Sequence, residues 1–331
     1  MTICVSVNTL LGMSASRVNG VSVIIPAYNG AQWIVRSIQS VLGQTTETPI
    51  EVIVVDDCSK DGTAELVKGM ADARVRLVQT TANKGVAGAR NVGIENARFE
   101  WVGFNDQDDI WLPRKLERQI ELLDRHPEFC GVTSGAGRLA GDGRSQWSAR
   151  LLFWKWTPVY IPNLRHPVAY DPKSEGATFL QTLLVARRAL VEVGGFCEQL
   201  PLSDDMDLLM KISETSKLAC VQEPLFLYRL GEDNQTAPGQ ADAVRFLAAH
   251  AYYEAAQKAR TKNLPEPEVV QFMATYRPPQ ADIEGFHIRQ GFRAINTKWV
   301  NRGTSAAALE LGKQFLSNPK LFSRFVWHRL R

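Results

Sequence analysis

The residues of this chain best suited to chemistry are aspartates, grouped at a few points. FNDQDD (Phe104 to Asp109) places Asp106, Asp108 and Asp109 within four residues. Such carboxylates repel one another unless a cation sits among them. Magnesium or manganese suits, being a hard ion held by one or two carboxylates with water and substrate phosphates in its remaining positions. The same spacing also suits a solvated acidic turn ahead of a helix. VVDDCSKDGT (Val54 to Thr63) ends an apolar run on Asp56 and Asp57, where a carboxylate can accept hydrogen bonds from a nucleobase imide or from ribose hydroxyls. Asp61 and Thr63 read instead as helix-capping residues. NKGVAGARN (Asn83 to Asn91) is a glycine-bearing loop opening a helix. Its Lys84 and Arg90 are cations able to meet a diphosphate, although the loop has neither Walker nor G-x-G-x-x-G spacing. In LSDDMDLLMKI (Leu202 to Ile212), Asp204 and Asp205 fall in the first turn of a helix whose buried stripe is Leu208, Leu209 and Ile212. The helix dipole favours acids there whatever their task, and it keeps one ionised, as a general base requires.

The elements that must position these groups follow from hydrophobic period. VSVII (Val21 to Ile25), EVIVV (Glu51 to Val55), VRLVQ (Val75 to Gln79) and WVGF (Trp101 to Phe104) read as strands. Between them lie helical patterns over residues 33–42, 63–70 and 87–97. Alternation at this rhythm predicts an α/β fold with a mostly parallel sheet flanked by helices, in which ligands bind outside the carboxyl ends of the strands. Asp57 and the FNDQDD aspartates lie at those ends, so parallel winding would bring them to one crevice. After Pro113 comes an amphipathic helix to about His126, then a short strand near Gly131 to Ser134. Residues 138–174 read as irregular, and beyond about Thr236 the pattern is helical. The expected organisation is a flexible leader (1–20), a nucleotide-binding half (21–125), an acceptor-binding half (126–235) and a C-terminal helical region (236–331).

Composition sets outer bounds. The 331 residues are 45% hydrophobic and 22% charged, which suits a globular chain with a sizeable core rather than a disordered or fibrous one. Thirty-eight basic against 35 acidic residues leave a net charge of +3, so no wholesale electrostatic grip on nucleic acid is expected. Five cysteines form no C-x-x-C pair, which argues against a disulfide framework or a zinc site and fits a reducing cytoplasm. No apolar run reaches the roughly 18 residues that a membrane-spanning helix needs.

Taken in order, PAYN (Pro26 to Asn29), VVDDCSKDGT, GARN (Gly88 to Asn91), FNDQDD with Trp111 and Pro113, GGF (Gly194 to Phe196), Asp204 with Asp205, and EPLFLYR (Glu223 to Arg229) resemble the family 2 glycosyltransferases. These are inverting enzymes of the GT-A fold. The resemblance implies a bacterial, non-processive enzyme that moves a sugar from a nucleotide-sugar donor to an acceptor hydroxyl, using manganese or magnesium. It implies that Pro26, Tyr28 and Asp57 contact the base and ribose, with Arg90 near the nucleotide. Asp106 and Asp108 are then the outer acids of the family's DxD motif, Asp108 being the main metal ligand and Asp106 also facing the nucleotide. Asp205 matches the catalytic base, while Asp109, Asp204 and Arg229 support the site. Cys58, Asn105 and Asp204 stand where the family usually has glycine, an apolar residue and glutamate. The Gln-x-x-Arg-Trp signature of processive members is absent, so one sugar per encounter is expected.

The implied setting is cell-surface polysaccharide or lipopolysaccharide assembly, with a glycan or lipid-linked glycan as acceptor. Trp147, Trp154, Trp156 and Tyr160 would face the acceptor or anchor the packing. A basic amphipathic helix from about Lys320 would rest on the inner face of the cytoplasmic membrane or pack on the enzyme. Two other readings use the same residues: a sugar-phosphate nucleotidyltransferase, and an inactive nucleotide-sugar-binding scaffold.

Overall fold

β1 (Val21–Ala27) and β2 (Ile50–Asp56) are buried at every position, as strands covered on both faces must be. In this computed structural model, which describes residues 16–140, 169–170, 179–200, 202–231, 243–287 and 290, they pair in parallel from Val21 opposite Ile50 to Ala27 opposite Asp56. β3 (Val75–Gln79) joins the far edge of β2, and β4 (Trp101–Phe104) joins β1, both in parallel. The crossovers run through α1 (Ile34–Leu42), α2 (Thr63–Lys68) and α3 (Gly85–Asn96). The first four strands therefore form the parallel unit that the alternation predicts.

Period-two alternation divides the core. Ile24, Ile53, Val55 and Phe104 pack on one face with Ala87, Ala89 and Ile94 of α3. Val23, Ile25, Val52 and Val54 pack on the other with Ile34, Ile38 and Val41 of α1. Leu116, Ile120 and Leu123 of α4 (Lys115–Arg125) complete that second layer.

The second half of the sheet is mixed. Among the described residues the sheet has nine strands, with β5 (Ile110–Trp111), β6 (Phe129–Ala140), β7 (Ala169–Tyr170), β8 (Leu184–Ala186) and β9 (Lys217–Leu230) beyond β4. β8 runs antiparallel to β4 and to β6, β9 runs parallel to β6, and β5 and β7 run antiparallel to β9. β6 is longer than its sequence pattern indicates, and β9 is a strand where the pattern indicated none. Gln222, Glu223 and Pro224 interrupt the apolar period of β9. The ladder absorbs them by shifting register on either side of Gly135, which pairs with Pro224.

α5 (Arg187–Glu192) and α6 (Asp204–Thr215) follow β8, and Leu208, Leu209 and Ile212 of α6 are fully buried as predicted. α7 (Ala243–Thr261) adds Ala249, Tyr252 and Ala256 to the same core cluster, and α8 (Val269–Thr275) follows, capped by Glu268 on the amides of Val270 and Gln271. Trp147, Trp154, Trp156, Tyr160 and the helix expected from Lys320 lie outside the described residues. Among those described, no helix is long and apolar enough to cross a membrane.

Candidate active site

The carboxyl ends of the parallel strands carry the site. β4 pairs with β1 only as far as Phe104 opposite Ile24, so Pro26 lies where no β4 neighbour needs the N–H it lacks. Beyond it, the backbone of exposed Tyr28 is clamped by one side chain. Gln107 Oε1 accepts from Tyr28 N at 2.9 Å, and Gln107 Nε2 donates to Tyr28 O at 3.1 Å. Gly30 packs so closely on this amide that a Cβ there would overlap Gln107 Oε1. The residue between Asp106 and Asp108 thus fixes the PAYN loop.

Asp57 is 3% exposed, and its carboxylate is engaged by the chain itself. Oδ1 accepts from Thr80 Oγ1 at 2.8 Å and Lys84 N at 2.9 Å, and Oδ2 accepts from Lys84 N at 3.0 Å and Gly85 N at 2.8 Å. The acid caps the amino end of α3, where unpaired amides and the helix dipole favour a negative charge. Cys58, next in sequence, has φ +66°, which accounts for glycine being usual in the family at this position. Asp61 is structural, as expected, accepting from Ala31 N and Thr63 N.

Arg90 lies five residues into α3, about 7.5 Å along its axis from Gly85. The residue is 5% exposed and its guanidinium bridges two acids, Nη2 to Asp106 Oδ1 at 3.0 Å and Nη1 to Asp204 Oδ2 at 2.9 Å. Phe196 of the GGF turn supports it, 5.4 Å from ring centroid to guanidinium carbon. Asn91 holds that turn through the N and O of Phe196, both at 2.9 Å. Gln181 donates to the second oxygen of Asp106. Asp106 and Asp204, from the loop after β4 and the first turn of α6, therefore meet on one side chain.

Asp108 Oδ2 accepts from Arg229 Nε at 2.8 Å and Nη2 at 2.7 Å. Asp109, 1% exposed, accepts the Arg229 N–H at 2.8 Å on Oδ1, while its buried Oδ2 has no partner. Burial raises the pKa of Asp108, with Arg229 opposing and Asp106 adding to the rise. Burial, then the charges of Asp108 and Asp106, raise that of Asp109 well above the usual carboxylate range. Asn105, where the family is usually apolar, donates to Ser37 Oγ at 2.9 Å and to Asp109 O at 3.2 Å, tying the acidic loop to α1. Asp205, half-buried in the first turn of α6, accepts from Met206 N. Burial and then the charge of Asp204 push its pKa up to about 6, against the pull of Arg90.

These residues fit a hard divalent cation. Their donors are all carboxylate oxygens, Asp109 Oδ2 is an orphaned buried atom, and negative charge is in excess. Among the described residues no group of three or more His, Cys, Asp or Glu side chains is arranged to hold a metal ion by itself. An ion here would thus take its remaining ligands from water and substrate phosphates, the usual habit of magnesium.

Gln107, Gln181, Trp33 and Phe196 were not read as site residues from sequence. Gln107 and Phe196 had positional signals, the one lying between Asp106 and Asp108 and the other closing the GGF motif. Gln181 and Trp33 reach the site only through tertiary packing, Trp33 lying 4.5 Å under the Arg229 guanidinium.

Residues 22–177 match the family model Glycosyl transferase family 2. The succinoglycan biosynthesis protein ExoO of Rhizobium meliloti is 47% identical over 108 residues, 33% of this chain and 31% of that protein. The Escherichia coli UDP-Glc:alpha-D-GlcNAc-diphosphoundecaprenol beta-1,3-glucosyltransferase WfgD is 43% identical over 103 residues, 31% of this chain and 40% of that one. The chain thus spans about a third of ExoO and less than half of WfgD. In three dimensions it is similar to S. aureus TarS in complex with UDP-GlcNAc, with a TM-score of 0.58 and 18% identity over 89% of this chain and 80% of that one. That likeness shows the GT-A fold. Over residues 22–177, just under half of its length, the chain thus carries a region of the glycosyl transferase family 2 kind.

Proposed function

We propose that the chain is an inverting, non-processive glycosyltransferase that moves one sugar from a nucleoside diphosphate donor to the hydroxyl of a glycan or lipid-linked glycan acceptor. The observation that carries this reading is the pairing of Asp106 and Asp204 on Arg90, which sets the metal-binding loop beside the candidate base. Pro26, Tyr28 and Asp57 line the base and ribose pocket, with Asp57 holding the amino end of α3 in place. Asp108, with Asp106 beside it, would hold manganese or magnesium. The bound ion would offset the charge of the departing nucleoside diphosphate and so lower the cost of breaking the anomeric bond. Asp205 takes the proton of the acceptor hydroxyl, which attacks the opposite face of the anomeric carbon, so the configuration inverts. Its raised pKa strengthens it as a base while leaving it ionised at neutral pH.

The names of ExoO and WfgD support a role in cell-surface polysaccharide assembly, WfgD's naming a diphosphoundecaprenol-linked acceptor. Peripheral contact at the inner face of the cytoplasmic membrane suits such an acceptor.

The test is incubation of the purified chain with UDP-glucose, UDP-GlcNAc and GDP-mannose in turn, with manganese and with a diphosphoundecaprenol-linked GlcNAc acceptor. Release of nucleoside diphosphate and a product of inverted anomeric configuration by NMR are expected. Pyrophosphate exchange instead of nucleoside diphosphate release would overturn the reading.

A further inference from the structure

We propose that Arg90 is a positioning residue for Asp205: its guanidinium, shared between the end of β4 and the first turn of α6, fixes the base helix against the donor-binding strand. The inference rests on Asp205 being the base. Both ends of the link are rigidly supported. α3 is capped by Asp57 and packed on β1 and β2, and the Phe196 ring beneath the guanidinium is held in place by Asn91. Asp204 lies on Arg90 at 2.9 Å, so the rotation and depth of the first turn of α6, and with them the neighbouring Asp205, are set from α3. Asp106 occupies the other arm of the same planar fork, a geometry that a lysine ammonium cannot reproduce.

The arrangement is also electrostatic. Among the described residues, the charged and titratable groups that act most on Asp205 are Asp204 on its own helix, Arg90 from α3 and Asp106 from the loop after β4, with Tyr253 from α7 coupled to it. Arg90 is the cation among these four. Its removal leaves Asp205 among like charges, so Asp205 should hold its proton to higher pH. Removal of the Asp204 charge should do the reverse.

The experiment compares Arg90→Gln, Arg90→Lys, Asp204→Asn and Asp205→Asn with the parent chain. Titration of Asp205 is followed through carboxyl carbon-13 shifts of aspartate-labelled protein, with Asp205→Asn giving the assignment, so the readout does not depend on turnover. UDP affinity by calorimetry reports whether the nucleotide half is intact. Expected in Arg90→Gln are a midpoint raised by about half a pH unit or more, UDP affinity within about threefold of the parent, and turnover of the active donor down about 10²-fold. Arg90→Lys should restore most of the midpoint but only part of the turnover, and Asp204→Asn should lower the midpoint. A purely structural role would reduce turnover and melting temperature while leaving the midpoint still. A stationary midpoint in both Arg90 variants, or UDP affinity lost with turnover kept at saturating donor, overturns the proposal. Should Arg90→Gln not fold, Arg90→Lys and Asp204→Asn still decide it, since a midpoint unmoved in Asp204→Asn and turnover unchanged in Arg90→Lys would be fatal. Turnover surviving in Asp205→Asn would instead sink the base assignment itself.

Discussion

Arg229 lies across the Trp33 ring at 4.5 Å and directs Nε and Nη2 to one oxygen of Asp108, at 2.8 and 2.7 Å. Both contacts fall on Oδ2, so the guanidinium competes with any cation that uses the same carboxylate oxygen.

That competition has a measurable sign. In Arg229→Gln, manganese binding without nucleotide should tighten severalfold, read from the free-ion signal in electron paramagnetic resonance. Stability in the absence of manganese should fall by about 3 kcal/mol, because a largely buried carboxylate loses its counter-charge. Weaker manganese binding in the variant would show that Arg229 assists the ion rather than opposing it.

The pH dependence of turnover should report Asp205. Burial and the Asp204 charge raise its pKa to about 6. A base acts only when ionised, so kcat should be level above that value and fall about tenfold per pH unit below it. Asp205→Asn should lose about 10² to 10⁴ in rate at neutral pH while keeping nucleotide affinity. A profile level down to pH 4 would exclude Asp205 as the titrating base.

The sequence made the first half of the sheet legible because its signals are local. Continuous apolar strands, the turn at Gly62 and acids at strand ends all follow from short-range pattern, and β1 to β4 form where that pattern puts them, β1 running on through Pro26 to Ala27. The second half was less legible for a physical reason. The period of β9 is broken by Gln222, Glu223 and Pro224, and only the register shift in β6 opposite them rescues the ladder. Within the site, the bridge from Asp106 to Asp204 depends on an arginine more than a hundred residues before Asp204. No spacing rule links such positions. Asp57 was expected at the site from its place at a strand end, yet its engagement with the α3 amides appears only once α3 is packed.

Cys58 gives a stability prediction with little bearing on charge. Its φ of +66° is a backbone region that glycine enters freely and a residue with a Cβ does not. The thiol returns little, its contact with Thr80 O being 3.5 Å long. Cys58→Gly should therefore stabilise the chain by about 1 kcal/mol, or roughly 2 °C in melting temperature. Cys58→Val should lower it, since a β-branched side chain tolerates this conformation least. Equal melting temperatures across the three would mean that the loop relaxes at no cost.

Lys115 supplies a second pH dependence, this time of stability. It is 0% exposed, its Nζ donates to Gln119 Oε1 at 2.9 Å, and it lies 3.8 Å from the centroid of the Trp111 ring. Burial drives its pKa well below the ordinary lysine value. Between that depressed value and the unfolded one near 10.5, the unfolded chain binds a proton that the native chain does not. Stability must then rise with pH across the window, by up to about 1.4 kcal/mol per unit, before other groups are counted. Lys115→Met removes the titrating group while keeping most of the volume. Urea unfolding at pH 7, 8, 9 and 10 should give a shallower dependence for the variant than for the parent, whatever the offset caused by the unpaired Gln119 oxygen. Parallel lines would mean that Lys115 keeps its proton in the fold, held over the Trp111 ring.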